Sequence, residues 1–224
     1  MNQTTGLLVV LAIAAILGFA IWQGRKRRKE IAQWAASQGL SFSAARDRTM
    51  DGRFPAFGCL RRGHTRYAYN ICSGRRGDRP VWAFDYHYAT GSGKSRHDYH
   101  FSGVVISSRV RLKPLHIRPE GLFDKLTEFF GLDDIDFESA EFSRAFHVKA
   151  PDKRWAYDVL HQRSMELLLG MPRMSIQFAE DSVMVWKGRR FAPETFEQAL
   201  GIACGLLDGL PAYVVDQQKG KGLS

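Results

Sequence analysis

A hairpin pattern in the middle of the chain decides the fold class. Residues 81–108 read VWAFDYHYATGSGKSRHDYHFSGVVISS, two runs rich in aromatic and β-branched residues around a glycine-rich segment. Such runs are typical of β-strands, and the segment between them is typical of a turn. The pattern therefore predicts an antiparallel β-hairpin.

The turn contains GSGKS, which looks like part of a phosphate-binding loop. Such a loop needs a glycine five positions before the glycine of its GK pair, and it leads directly into a helix. The required position holds Tyr88, and residues 97–108 have the composition of a strand. The sequence thus argues against a nucleotide ligand, and we expect no cofactor.

Strand alternation places four aromatic side chains on one face of the hairpin and four polar side chains on the other. With the turn centred between Ser92 and Gly93, the aromatic face pairs Phe84 with Phe101 and Tyr86 with Tyr99. The polar face pairs Asp85 with His100 and His87 with Asp98. We interpret this polar face as a solvent-exposed ladder of opposite charges. The alternative is a metal site, because imidazole and carboxylate groups are ligands of zinc and manganese.

The N-terminal segment is strongly apolar. Residues 6–23 read GLLVVLAIAAILGFAIWQ and contain no charged residue. At about 1.5 Å per residue, a helix of this run, extended by a turn at either end, spans a hydrocarbon core of about 30 Å. A cleaved signal peptide carries positive charge before its apolar run, whereas here the charges follow it. The pattern predicts a single transmembrane helix, with the lipid bilayer as the partner of residues 6–23.

A basic run follows the apolar segment and predicts the topology. It consists of Arg25, Lys26, Arg27, Arg28 and Lys29. Because basic residues stay on the cytoplasmic side, we expect the N-terminus outside and the rest of the chain inside a bacterial inner membrane. The same charges can attract anionic lipid headgroups. Trp22 lies where an interfacial anchor belongs.

The net charge of +9 does not by itself indicate a nucleic-acid partner. The basic run supplies part of this excess, and the remaining arginine pairs are spread along the chain rather than concentrated on one element. Both observations argue against nucleic-acid binding. The three cysteines, Cys59, Cys72 and Cys204, have no CxxC spacing, which argues against a disulfide framework or zinc site and favours a reducing compartment.

The remaining patterns predict one cytoplasmic α+β domain at residues 30–213, a mainly antiparallel sheet packed with about three helices. We expect further strands at 40–44, 57–62, 66–72 and 142–150, and a second hairpin at 175–187 turning at Asp181. We expect helices at 30–38, at 120–132, at 152–169 with Asp152 as its N-cap, and from Pro193 to about residue 210. Residues 1–29 form the anchor, 110–120 a possible subdomain seam, and 214–224 a disordered tail.

Three stretches resemble a family of bacterial single-pass membrane-anchored proteins of unknown function. They read AFDYHYATGSGK, GLDDIDFESAEFSRAFHVKAPD and GRRFAPETFEQALGIACGLLDGLP. The resemblance implies a transmembrane helix followed by a cytoplasmic α+β domain, and it implies no activity.

No sequence motif of a hydrolase, zinc peptidase or dinucleotide-binding enzyme occurs in the chain. We therefore expect a membrane-anchored, non-enzymatic interaction or regulatory module that contacts another membrane or cytoplasmic protein. The exposed turn residues Ser92, Lys94 and Arg96 are candidates for this contact. The alternative is a metal-dependent enzyme with its site on the 81–108 hairpin.

Overall fold

The computed structural model describes residues 3–121 and 132–220 and has an α+β fold. Its helices are α1 (Gln3–Ser37), α2 (Met50–Arg53), α3 (Ala140–Ala145), α4 (Lys153–Val159), α5 (Gln162–Leu169), α6 (Pro193–Asp208) and α7 (Ala212–Gly220), with 3-10 turns at Gly58–Arg61 and Gly93–Ser95. Its strands are β1 (Ser41–Ser43), β2 (His64–Arg76), β3 (Arg79–Thr90), β4 (His97–Pro119), β5 (Phe146–Lys149) and β6 (Ser175–Lys187). The predicted α+β class with a mainly antiparallel sheet is confirmed, although the described helices are more numerous than the three expected to pack on the sheet.

All strand pairs of the sheet are antiparallel, in the order β1-β2-β3-β4-β5, with β6 also paired to β4. Strand β4 is long enough to pair with three partners. Its residues 102–106 pair with both β3 and β6, and its residues 116 and 117 pair with both β5 and β6. This unbroken strand crosses residues 110–120, where we expected a seam, so both halves of the domain share one sheet.

Each face of the sheet carries its own hydrophobic core. Helices α1 and α4 to α6 cover one face, where Val104, Ile106 and Val185 are buried. Helix α2 and the following 3-10 turn cover the other face, against the aromatic layer of Phe84, Tyr86 and Phe101. Strand alternation therefore works as predicted, except that Tyr99 of the expected aromatic layer is exposed.

The predicted hairpin is confirmed, but its register is displaced by two residues. Asp85 pairs with Ser102, Tyr86 with Phe101, and His87 with His100. The turn is longer than expected, because Gly91 adopts φ +68° and a 3-10 turn follows it before β4 begins. Since an even shift preserves the direction of every side chain, Asp85, His87, Asp98 and His100 still share one face.

Several predicted elements differ from the observed ones for identifiable reasons. Residues 57–62 form a 3-10 turn rather than a strand, and residues 142–150 begin as α3 because the side chain of Ser139 caps the amide of Phe142. Residues 175–187 form one strand instead of a hairpin. Glu180, at φ +53°, accommodates an irregularity while both halves stay paired with β4.

The expected helix at 152–169 is divided into α4 and α5. The break follows Leu160, and the ring of His161 binds the carbonyl of Gly209 at 2.9 Å, which holds this corner against the end of α6. Asp152 caps α4 as predicted, since its side chain accepts from the amide of Trp155. Residues 122–131 of the helix expected at 120–132 lie outside the described residues.

The two ends of the chain are both helical where they are described. The tail expected to be disordered from residue 214 lies in α7 as far as Gly220, and Val214 is buried. Helix α1 ends before Gly39, as predicted. Counting residues 3–121 and 132–220, no helix combines the length and apolar character needed to cross a membrane.

Candidate functional site

A buried ion pair joins α1 to the sheet. Arg27 donates from Nε to Oδ2 of Asp85 at 2.9 Å and from Nη2 to Oδ1 at 2.6 Å. Asp85 is fully buried in the middle of β3, whereas the Arg27 side chain keeps about a fifth of its surface exposed. Such a bidentate contact fixes both the position and the rotation of the helix against the sheet.

Further donors complete the shell around Asp85. Asn70 donates to Oδ2 at 2.9 Å, and the hydroxyl of Ser102 donates to Oδ1 at 2.5 Å. The third Arg27 contact is a 2.9 Å hydrogen bond from Nη1 to the carbonyl of Phe191. Because a buried carboxylate is costly unless several donors satisfy it, this shell allows a charge to sit inside the sheet face.

His87 lies one pair further along the same face and is also buried. Its Nδ1 is 3.0 Å from the carbonyl of Thr65, and its Nε2 is 2.7 Å from Oδ1 of Asp98. A carbonyl only accepts, and so does an ionised carboxylate, so both contacts are hydrogen bonds only when both ring nitrogens carry a proton. Hydrogen bonds from Arg96 and His87 hold the pKa of Asp98 well below its usual value, which keeps it ionised.

His100 faces His87 across the hairpin and has a different partner. Its Nδ1 is 3.0 Å from the hydroxyl of Tyr69, and the two histidine rings lie 4.9 Å apart. Burial, followed by the charge of His87, lowers the pKa of His100. Burial, followed by the charge of Asp85, raises the pKa of Tyr69 to about 12.

The four predicted metal ligands therefore separate into three environments. His87 and Asp98 do pair, as expected, but Asp85 binds Arg27 and His100 binds Tyr69. The polar face is also less exposed than predicted, because Asp85 and His87 are buried. Within the described part of the chain, no three His, Cys, Asp or Glu side chains are grouped so that they could hold a metal ion.

The basic run of α1 divides in the same way. Arg25, Lys26, Arg28 and Lys29 are exposed, as a lipid-facing or topological role requires, whereas Arg27 binds Asp85. We predicted one role for all five residues, and local sequence contains no signal that singles out Arg27. Trp22 is also exposed, with the ammonium of Lys26 5.5 Å from its ring centre.

The turn residues with a predicted partner role are exposed at the tip of the hairpin. Arg96 forms two contacts with Asp98, at 2.7 and 3.1 Å, and so is held against the hairpin. Ser92 and Lys94 lie in the glycine-rich turn itself, where the amide of Ser95 donates to the carbonyl of Ser92.

Sequence reasoning did not single out Asn70, Ser102 or Tyr69. The one local signal was a polar Asn70 inside the aromatic strand RYAYNIC, and its φ of +49° shows that it also interrupts regular strand geometry. A groove of about 520 Å³ borders the buried network, between α1 and the segment after β6. Its lining includes Gln23, Lys26, Arg27, Glu30 and Arg190.

The fold and site together define an α+β protein whose long N-terminal helix is docked through a buried ion pair on an antiparallel sheet. The chain is similar in fold to the crystal structure of the mycobacterial trehalose monomycolate transport factor A, TtfA, with a TM-score of 0.63. The match has 12% sequence identity and covers 83% of this chain and 95% of that chain, so it bears on the fold alone. Neither a protein-family model nor a curated protein matches the chain.

Proposed function

We propose that this protein is a membrane-anchored, non-enzymatic interaction module on the cytoplasmic face of a bacterial inner membrane. The observation that carries the proposal is the contrast within α1. Every side chain from Leu11 to Lys26 is exposed, whereas Ile31, Trp34 and Ala35 are buried against the sheet. One half of the helix is thus free to enter a bilayer while the other half belongs to the domain.

The apolar run at residues 6–23 supports the anchor. Its described side chains are exposed on all sides of the helix, including Leu11, Leu17, Phe19 and Ile21. A helix that is apolar all round needs an apolar environment, which water does not provide. The exposed basic residues that follow the run support a cytoplasmic location for the domain.

The ion pair between Arg27 and Asp85 supports a rigid connection between anchor and domain. Arg27 lies four residues after Gln23, the last residue of the apolar run, so no flexible linker separates the two. A module connected in this way presents its sheet and hairpin tip at a defined distance from the membrane. For contact with a second membrane protein, such a rigid connection is better suited than a flexible tether.

The name of the fold neighbour suggests a process for the first functional test. That mycobacterial protein is named a trehalose monomycolate transport factor. On the strength of the name alone, we propose membrane transport as the process in which this module takes part, with the hairpin tip as the surface that contacts its partner.

The anchor is tested by placing charges in the exposed apolar half of α1. A lysine at the centre of a bilayer costs roughly 2.5–3.5 kcal/mol, so Ala14→Lys/Leu17→Lys is expected to move the protein out of the membrane fraction. The wild type is expected to remain in the membrane pellet after alkaline carbonate and high-salt washes. Gln33→Lys/Ala36→Lys is the matched control, because it adds the same charges at exposed positions of the docked half.

The washes distinguish a spanning helix from one that lies on the surface, a distinction that matters because no described helix has the character of a span. Release of the wild type by alkaline carbonate would contradict the anchor.

The partner surface is tested by purifying the full chain in mild detergent with and without a replacement of residues 91–95 by Asn-Gly. A stoichiometric partner lost with the tip supports the proposal, and an unchanged partner contradicts the assignment of the tip.

A further inference from the structure

A second basic segment lies beside the basic run of α1. Residues 187–190, which read KGRR, begin at the last residue of β6, and Arg189 and Arg190 are exposed. Arg190 lines the groove of about 520 Å³ whose opposite wall contains Gln23, Lys26 and Glu30 of α1. More than 150 residues of sequence separate the two segments, so the fold alone brings their charges together.

The buried network fixes this segment in place. The hydroxyl of Ser102 accepts from the amide of Phe191 at 2.9 Å, and the amide of Ser102 donates to the carbonyl of Arg189 at 3.2 Å. Arg27 binds the carbonyl of Phe191 from the other side. The backbone on both sides of Arg190 is therefore held between β4 and α1, and the Arg190 side chain stays at the groove.

The charges of the groove are mostly positive and only partly neutralised. Asp85 neutralises the Arg27 guanidinium, whereas Lys26 and Arg190 are cations on opposite walls. The Arg190 side chain also hydrogen-bonds the hydroxyl of Tyr69, which does not neutralise its charge. Glu30 is the one acidic residue among the described lining residues, and it lies 3.9 Å from Lys26. Like charges also crowd the segment itself, since burial and then the Arg189 charge lower the pKa of Lys187.

The groove is continuous with the apolar surface of α1. The part of its lining that α1 supplies begins at Ala20, within the uncharged run, and ends at Glu30. A ligand that fills it must therefore be anionic at one end and apolar at the other. A free phosphate or a nucleotide satisfies only the charged part, whereas an anionic phospholipid satisfies both parts.

We infer that this groove binds the phosphate headgroup of an anionic phospholipid between Lys26 and Arg190, with the acyl chains along the exposed apolar face of α1. The inference rests on the proposed membrane anchor and names the lipid that the anchored domain selects. Arg189 contributes a second cation on the same segment. The domain is then held with its β6–α6 connection against the membrane surface.

The test uses the full chain in a neutral detergent, titrated calorimetrically with dioctanoyl phosphatidylglycerol. The expected result is saturable binding that Arg189→Ser/Arg190→Ser weakens on the order of thirtyfold, about fivefold for each charge removed near an anionic headgroup. Arg48→Ser/Arg61→Ser is the matched control, because these arginines line a different groove and their loss changes the net charge equally. This control is expected to bind like the wild type.

Three results would overturn the inference. They are equal binding of dioctanoyl phosphatidylcholine, unchanged binding by Arg189→Ser/Arg190→Ser, and full competition by inorganic phosphate at the same concentration. The carbonate wash separates this inference from the anchor. A wild type that washes off the membrane but still binds the lipid contradicts the anchor alone, and a retained wild type without selective binding contradicts the headgroup site alone.

Discussion

The two halves of α1 share one helix geometry but have opposite surroundings. Trp22 is 53% exposed in the first half, whereas Trp34 is 7% exposed in the second half and stacks on Phe196 with ring centres 5.2 Å apart. Helix formation is a local property, and both halves satisfy it. Burial depends on what the rest of the chain places opposite each residue, and only the second half has such a partner.

The change from one half to the other occurs at Arg27. Before it the side chains are exposed, and four residues after it Ile31 is fully buried. The ion pair with Asp85 determines where the helix meets the sheet, so it sets how far the apolar half extends beyond the domain. The comparison teaches that a single basic residue in a basic run can define the boundary between the exposed half of a helix and the half that is docked on a sheet.

The largest expected effect on the free energy of unfolding is that of Trp34→Ala, and Trp22→Ala is its comparison. Trp34→Ala leaves a cavity beside Phe196 and is expected to lower the free energy of unfolding by about 3–5 kcal/mol. Trp22→Ala is expected to change it by less than about 0.5 kcal/mol, because Trp22 packs on no core residue. Chemical denaturation of the full chain in detergent measures both values. Equal effects of the two substitutions would show that the halves do not differ as described.

The next effect concerns the boundary residue. Asp85→Ala leaves the Arg27 guanidinium without its carboxylate and is expected to destabilise the domain by about 2–3 kcal/mol, since Arg27 is partly exposed. Hydrogen exchange of residues 25–37 is expected to rise at the same time. Asp98→Ala is the control on the same sheet face, and its solvent-exposed carboxylate predicts a much smaller loss. If Asp98→Ala destabilised the domain as much as Asp85→Ala, the buried pair would contribute no more to stability than an exposed one, and the prediction would be wrong.

The smallest expected effect is a pH dependence of stability that arises from His100, on the same sheet face as Asp85. Because the folded-state pKa of His100 lies below its ordinary value of 6.5, the unfolded state binds this proton more readily. Stability is therefore fully present above that value and falls as the pH is lowered through it. Unfolding midpoints at about pH 8 and about pH 5 measure the slope, and His100→Gln is expected to reduce it. An identical slope in the variant would contradict a role for His100, which interacts with His87, Tyr69 and Arg190.

Much of the fold follows from local patterns. The hairpin at 81–108, the aromatic layer of Phe84 and Tyr86, and the boundaries of α6 at Pro193 and Asp208 are consequences of alternation and of turn and cap residues. Two of the errors arose where a long-range contact outweighed the local pattern. Strand β6 stays paired with β4 on both sides of Asp181, so the expected turn does not form there. The contact of His161 with Gly209 divides the expected helix at 152–169.

The sequence by itself determined the α+β class, the uncharged apolar run at residues 6–23, and the sharing of one face by Asp85, His87, Asp98 and His100. These properties depend on residue type and on a period of two or 3.6, both of which are readable along the chain. Only the tertiary structure decided that Asp85 binds Arg27 and that residues 187–190 join the basic run of α1. Each of these contacts joins segments more than 50 residues apart, and no local periodicity carries information about which distant residue will complete a buried charge.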